Sequence, residues 1–133
     1  MIYYIKLYLA SLAAFFALDM LWLGLIAGTF YKQHLGFLMA PEVNWYAALI
    51  FYFLYILGVL VFIVVPGLTE NAFALMLVKA ALFGLIAYAT YDLTNLATIK
   101  DWPLVITVVD LLWGMLLTTA VSMAGFFAGR WMA

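Results

Sequence analysis

No cysteine occurs in the chain, so it holds no disulfide, no thiolate nucleophile and no Cys-ligated metal. Charge is scarce: Lys and Arg number five, Asp and Glu six and His one, so only 8% of the 133 residues are charged, where a soluble domain has about 25%. With no basic run and a net charge of −1, the chain lacks the electrostatic footprint that nucleic acid requires, and no such partner is expected. Proline is confined to Pro41, Pro66 and Pro103, leaving long stretches in which nothing stops a helix. No nucleophile–base pair, phosphate-binding loop or Asp-rich diphosphate motif on a single helix is legible, so no catalytic residue is assigned. What is abundant is apolar: 71% of residues are hydrophobic. A soluble core of this size cannot hide so many, so most of the surface is expected to face lipid.

A membrane span needs about 20 apolar residues. Four windows qualify, at about 4–29, 46–65, 73–98 and 103–129. The first begins after Lys6 alone and is interrupted by Asp19. It continues well past Ser11-Leu12-Ala13, so it reads as a retained helix rather than a cleaved signal. Between spans 1 and 2, Tyr31 to Trp45 mixes Lys32, His34, Glu42 and Asn44 with Leu35, Phe37, Leu38 and Met39, the pattern of an interfacial segment. Pro41 suits the end of that segment or the first turn of span 2. Pro66-Gly67 is expected to stop span 2, with Thr69 capping span 3 and Glu70 in its first turn. Pro103 suits the first turn of span 4, with Asp101 near that positive helix end. Short connections imply antiparallel neighbours, so the expectation is an all-α, compact four-helix membrane bundle forming one integral membrane domain over residues 1–133.

Three carboxylates lie within these spans: Asp19, Asp92 and Asp110. Each costs roughly 2.5–3.5 kcal/mol at a helix centre, so their presence points to use. Asp19 stands eleven residues before Phe30, Asp92 eight before Lys100 and Asp110 seven after Pro103, depths of about 10–16 Å at 1.5 Å per residue. All three therefore fall in the membrane half bounded by the Lys32 and Lys100 turns. Helical phase places Trp22 beside Asp19, Tyr88 and Asn95 beside Asp92, and Trp113 and Gly114 beside Asp110. The strings Asp19-Met20-Leu21-Trp22, Asp92-Leu93-Thr94-Asn95 and Asp110-Leu111-Leu112-Trp113 repeat one pattern, an acid followed three residues later by a hydrogen-bonding side chain. On span 2 the hydroxyls of Tyr52 and Tyr55 are candidate donors to a carboxylate, or else interfacial aromatics. Small residues four apart, Gly24/Gly28, Ala80/Gly84 and Gly125/Gly129, mark close helix packing. That packing is read as internal to the bundle, with a homodimer as the alternative.

These residues predict a buried polar cavity walled by spans 1, 3 and 4, with Asp19, Asp92 and Asp110 lining it and Trp22, Tyr88, Asn95 and Trp113 in support. Residues 31–44 form its lid. Three functional readings follow. The first is a site that binds or transports a proton, a small cation or a small polar or cationic molecule, with Trp22 and Trp113 facing the cation. The second is a membrane enzyme, or an accessory subunit of one, acting on lipid or isoprenoid substrates. Asp19, Asp92 and Asp110 would then be candidate ligands for a divalent cation and His34 a base at headgroup level. The third is a purely structural bundle glued by hydrogen-bonded acids.

The stretch Tyr88-Ala89-Thr90-Tyr91-Asp92-Leu93-Thr94-Asn95-Leu96-Ala97-Thr98 is distinctive. With Asp19-Met20-Leu21-Trp22-Leu23-Gly24, Pro41, Phe51-Tyr52 and Val109-Asp110-Leu111-Leu112-Trp113-Gly114, it resembles the bacterial membrane-protein family called domain of unknown function 2177 over nearly the whole chain. The resemblance implies four spans in a bacterial inner membrane and assigns no activity. Lys6, Lys79 and Arg130 against Lys32 and Lys100 put both termini in the cytoplasm.

Overall fold

A computed structural model describes residues 1–133. Helices long and apolar enough to cross a membrane are α1 (Ile2–Ile26), α3 (Trp45–Thr69), α4 (Phe73–Thr98) and α5 (Leu104–Met132), with mean hydropathies of 2.0, 2.9, 1.9 and 2.1. The shortest has 25 residues, about 37 Å at 1.5 Å per residue, against a hydrocarbon core of about 30 Å. A short helix, α2 (Gly28–Leu35), follows α1 after a break at Ala27. The expected all-α four-span bundle is the observed architecture, and its connections are short enough to make successive spans antiparallel.

Three local expectations are corrected. Pro66-Gly67 does not stop the second span: α3 runs on to Thr69. Its backbone widens into a π-turn over Leu60–Val64 just before the proline. A proline in a regular helix clashes with the carbonyl four residues back, and the wider turn relieves that contact. Thr69 accordingly does not cap α4; its hydroxyl donates back to the Val65 carbonyl at 2.9 Å, and α4 begins after Ala72 without a side-chain cap. Of the two places expected for Pro41, it takes the one in the connecting segment, outside any helix, and α3 is capped by Asn44, whose side chain accepts from Ala47 N–H at 3.2 Å. The first span also ends early. Its last five residues, Trp22–Ile26, form a π-turn, and the chain then folds over as α2 instead of continuing to residue 29. Asn71 and Asp101 make the two tight turns with φ of 50° and 60°, a left-handed geometry that short polar side chains tolerate.

The core draws on every span: Leu7 and Phe15 from α1, Ile56, Val59 and Ile63 from α3, Met76 and Ala80 from α4, and Leu117, Val121 and Phe126 from α5. Helix α5 is central, with its main packing against α4 and then α1. The reason lies in its small residues. Gly84 of α4 and Gly114 of α5 pack backbone to backbone, since a Cβ on Gly84 would meet the Gly114 carbonyl. Gly125 admits Ser11, whose Oγ would stand 2.7 Å from an added Cβ, and Gly129 admits Leu68 and Tyr3. Two of the three small-residue pairs thus pack inside the bundle. Gly24 has no neighbour within 4 Å and is exposed. Tyr3 hydroxyl donates to the Gly129 carbonyl at 3.1 Å and ties the two ends of the chain together.

Gly84→Ala is expected to lower the stability of the bundle by about 1–3 kcal/mol, the usual cost of overpacking. Gly24→Ala, in open space, should stay within about 0.5 kcal/mol of the wild type. Thermal loss of helicity in a mild detergent separates the two.

Candidate functional site

The three carboxylates are all withdrawn from the surface: Asp19 is 6%, Asp92 0% and Asp110 8% exposed. Asp110 gets there by phase. Ile106, Thr107, Asp110 and Gly114 follow one another at helical spacing, and all four are buried on the face of α5 that meets its neighbours. Asp92 comes to the same point from α4, one turn beyond Tyr88, whose ring lies on Gly114. The Asp92 and Asp110 carboxyl groups face each other across the α4–α5 interface. Neither oxygen of Asp92 has a donor. Beneath them, Trp102 Nε1–H donates to Thr107 Oγ1 at 3.1 Å, and the Thr107 hydroxyl reaches the Asp92 carbonyl at 3.5 Å.

A residue that the sequence reading left in the interfacial segment completes this centre. Tyr31, on α2, donates its hydroxyl proton to Asp110 Oδ1 and accepts from Trp22 Nε1–H at 3.1 Å. Only the fold-over of α2 brings it there. An aromatic residue near a span end gave no sign of it beyond its type. Burial raises the Tyr31 hydroxyl well above its ordinary value of 10.0, and the neighbouring Asp110 raises it further, so it is a neutral donor.

Asp19 stands apart from the pair. It accepts from Tyr52 hydroxyl at 3.0 Å, so one of the two tyrosines expected to reach a carboxylate does so. Tyr55 instead pairs with Thr118 at 2.6 Å. Trp113 points its N–H toward Asp19 but closes no hydrogen bond. Trp22 and Trp113 stack face to face, with centroids 4.3 Å apart and an interplanar angle of 8°. Each thus gives one face to the other, so a cation could meet either ring only at its outer face. The indoles join the two carboxyl centres: Asp19 lies by Trp113, and Trp22 reaches Asp110 through Tyr31.

A cavity of about 350 Å³ is lined by Phe51, Ala87, Tyr88, Tyr91, Asp92 and Asp110. Its walls come from α3, α4 and α5, not from the first, third and fourth spans as expected. Asp19 is not among its lining residues, because Tyr52 holds it toward α3. A second cavity of about 370 Å³ lies beneath α2, lined by residues that include Tyr31, Lys32, Leu35, Tyr91 and Asp110. Asp110 and Tyr91 border both. Of the segment expected to act as a lid, the part within α2 lies against the Asp110 side through Tyr31. Asn95 lies with Tyr91 and lines neither cavity. His34 directs Nδ1 at the Phe30 carbonyl, 2.9 Å away, so that nitrogen is engaged on its own helix. No group of three or more His, Cys, Asp or Glu side chains is close enough to hold a metal ion. Asp19, Asp92 and Asp110 therefore do not come together as the three ligands expected for a divalent cation.

Four hydrophobic spans with acids turned inward define a multi-pass integral membrane protein. More particularly, the chain belongs to the family described as predicted membrane protein, domain of unknown function 2177, which matches residues 4–127. Comparison with curated proteins and with solved structures finds no match.

Two outcomes are expected. Tyr52→Phe leaves Asp19 without its donor and should cost about 1–3 kcal/mol, read by thermal unfolding. Because folding raises the Tyr31 value, its contribution to stability is full below about pH 10, the unfolded value, and is lost as pH rises through the folded one. The phenolate absorbance difference between wild type and Tyr31→Phe should therefore show Tyr31 still unionised at pH 10.

Proposed function

We propose that the Asp92–Asp110 pair is an intramembrane binding site that holds a proton and exchanges it for a cationic group, in a membrane binding or transport protein. The observation that carries this reading is Asp92: fully buried, with both carboxyl oxygens lacking a donor and another carboxyl as neighbour. Two carboxylates in contact repel strongly, and a shared proton or an interposed cation is what relieves them. Tyr31 donates to Asp110 alone, which leaves the face toward Asp92 free for the exchanged group. A structural role accounts for Asp19, which accepts from Tyr52, whereas the Asp92–Asp110 pair borders a cavity of about 350 Å³ that a purely structural pair does not need.

We assign the protein to the bacterial inner membrane with both termini cytoplasmic. Lys6 and Arg130 stand toward the end of the bundle where Tyr3 meets Gly129, with Lys79 six residues into α4 from that end, against Lys32 and Lys100 at the other. The bias toward Lys and Arg inside supports this. The site then belongs to the outer half of the membrane.

Infrared spectroscopy of the purified protein at neutral pH tests the reading. The wild type should show a protonated-carboxyl band that shifts in heavy water. The band should disappear in Asp92→Asn and in Asp110→Asn, and persist in Asp19→Asn. Saturating ethylammonium chloride should release the proton from the wild type in weak buffer. A band that survives both pair variants, or no proton release, would sink the proposal.

A further inference from the structure

The carboxyl cavity is not closed toward lipid. Over Trp45–Val59, helix α3 leans on α1, and its principal contacts with α4 come from Leu60–Thr69 at the far end. The two helices therefore splay apart in the half that holds Asp92 and Asp110. The gap contains an apolar groove of about 470 Å³, whose lining includes Phe51, Leu54, Gly58, Phe62 and Phe83. Phe51 lines both this groove and the carboxyl cavity, so the two spaces adjoin at its ring, the one side chain that stands at both. Leu54 and Phe62 are 65% and 64% exposed, which leaves the groove open along its outer side. Its floor is fixed: Tyr55 packs on Phe83 and Tyr88 and is anchored on Thr118.

We infer that the group exchanged at the carboxyl pair is the ammonium head of a lipid-chain amine, which enters sideways from the bilayer between α3 and α4 and lays its tail in the groove. This rests on the proposed function and names its ligand class. The head is dictated by complementarity. The buried Asp92 oxygens lack donors, and an ammonium supplies three on a single positive charge. The tail is dictated by the groove, an almost wholly apolar slot that runs from Phe51 to Phe62. The eleven helical steps between them span about 16 Å, roughly half of a 30 Å hydrocarbon core, the length of a chain in one leaflet. Phe51 is six residues after Trp45, about 9 Å along the helix, so the bound head sits well below the interface, in hydrocarbon. A charged head leaves the interface for that depth only if a counter-charge waits there. The Asp92–Asp110 pair supplies it and gives up its proton in return. The long-chain amine comes from the membrane, where its tail partitions, and the groove is open to that side along Leu54 and Phe62.

Dodecylamine is the probe, with ethylamine as its tail-less counterpart and dodecanoate as an anion with a similar tail. Each is titrated into the purified protein in a neutral maltoside, reading loss of the protonated-carboxyl infrared band. Dodecylamine should remove the band at a concentration more than about tenfold below ethylamine, since each buried methylene of a pocketed chain counts for much of that factor. Dodecanoate should leave it. Gly58→Leu separates this inference from the function it rests on. Gly58 lines the groove, and a Cβ there meets only Phe83, at 3.4 Å. A leucine thus fills the slot without touching the carboxyls. That variant should keep the band and its response to ethylamine, while its dodecylamine midpoint rises more than about tenfold. Equal midpoints for the two amines, or a Gly58→Leu variant indistinguishable from wild type, would overturn the lateral entry of a lipid amine and leave a site for small cations. Dodecanoate acting like dodecylamine would overturn it too, by showing that the tail acts without the head. Absence of the band in the wild type would be the failure of the proposed function itself.

Discussion

A carboxylate in hydrocarbon costs roughly 2.5–3.5 kcal/mol even on the mildest scales, and α4 and α5 each carry one to the same point. The rest of the architecture around the site answers that cost. Gly84 and Gly114 let the two backbones touch, which brings Asp92 and Asp110 level with each other and leaves room for Tyr88 on the glycine surface. Helix α2 folds back so that Tyr31 can donate to Asp110. The Trp22–Trp113 stack fills the space between α1 and α5 with surface that is apolar on its faces and polar at its edges. Asp92 alone receives no donor from the protein.

The hydroxyl groups fall into two sets. Tyr31 and Tyr52 each serve a carboxylate, and both helices that provide them lie beside the splayed half of the bundle. Tyr55 bonds to Thr118, and Ser11 and Ser122 are fully buried in the half nearer the termini. The termini-side half is packed by Ile63, Val64, Met76 and Phe126 and held by the Tyr3–Gly129 bond. One end of the bundle is thus a closed, apolar clamp, and the other is open between α3 and α4 and lined with acids.

Much of this was legible. Spans near 46–65 and 73–98 follow from hydropathy and length, because lipid imposes a minimum apolar run. The shared depth of Asp19, Asp92 and Asp110 follows from counting residues to the turns, because helical rise is constant. The inward face of α5 follows from Ile106, Thr107, Asp110 and Gly114, because helical phase is constant too. Other features were not. Pro66 read as a stop because a proline opposes a regular helix, and the π-turn that accommodates it leaves no mark in composition. Thr69 read as an N-cap because its residue type suits one. Asp19 read as a third member of the pair because its depth matches, whereas its azimuth relative to α3 and α5 depends on how the helices are arranged around one another.

The sequence by itself determined the number of spans, their antiparallel order, that the three acids share one half of the bundle, and the small residues that allow close packing. Each of these depends on properties of one helix at a time: length, rise and phase. Only the tertiary structure decided which acids meet, that Tyr52 holds Asp19 and Tyr31 reaches Asp110, that the two indoles stack on each other, and that α3 stands away from α4. Those outcomes depend on the rotation and tilt of helices about their neighbours. A lipid-facing surface and a helix-facing surface are equally apolar here, so hydropathy carries no information about that choice.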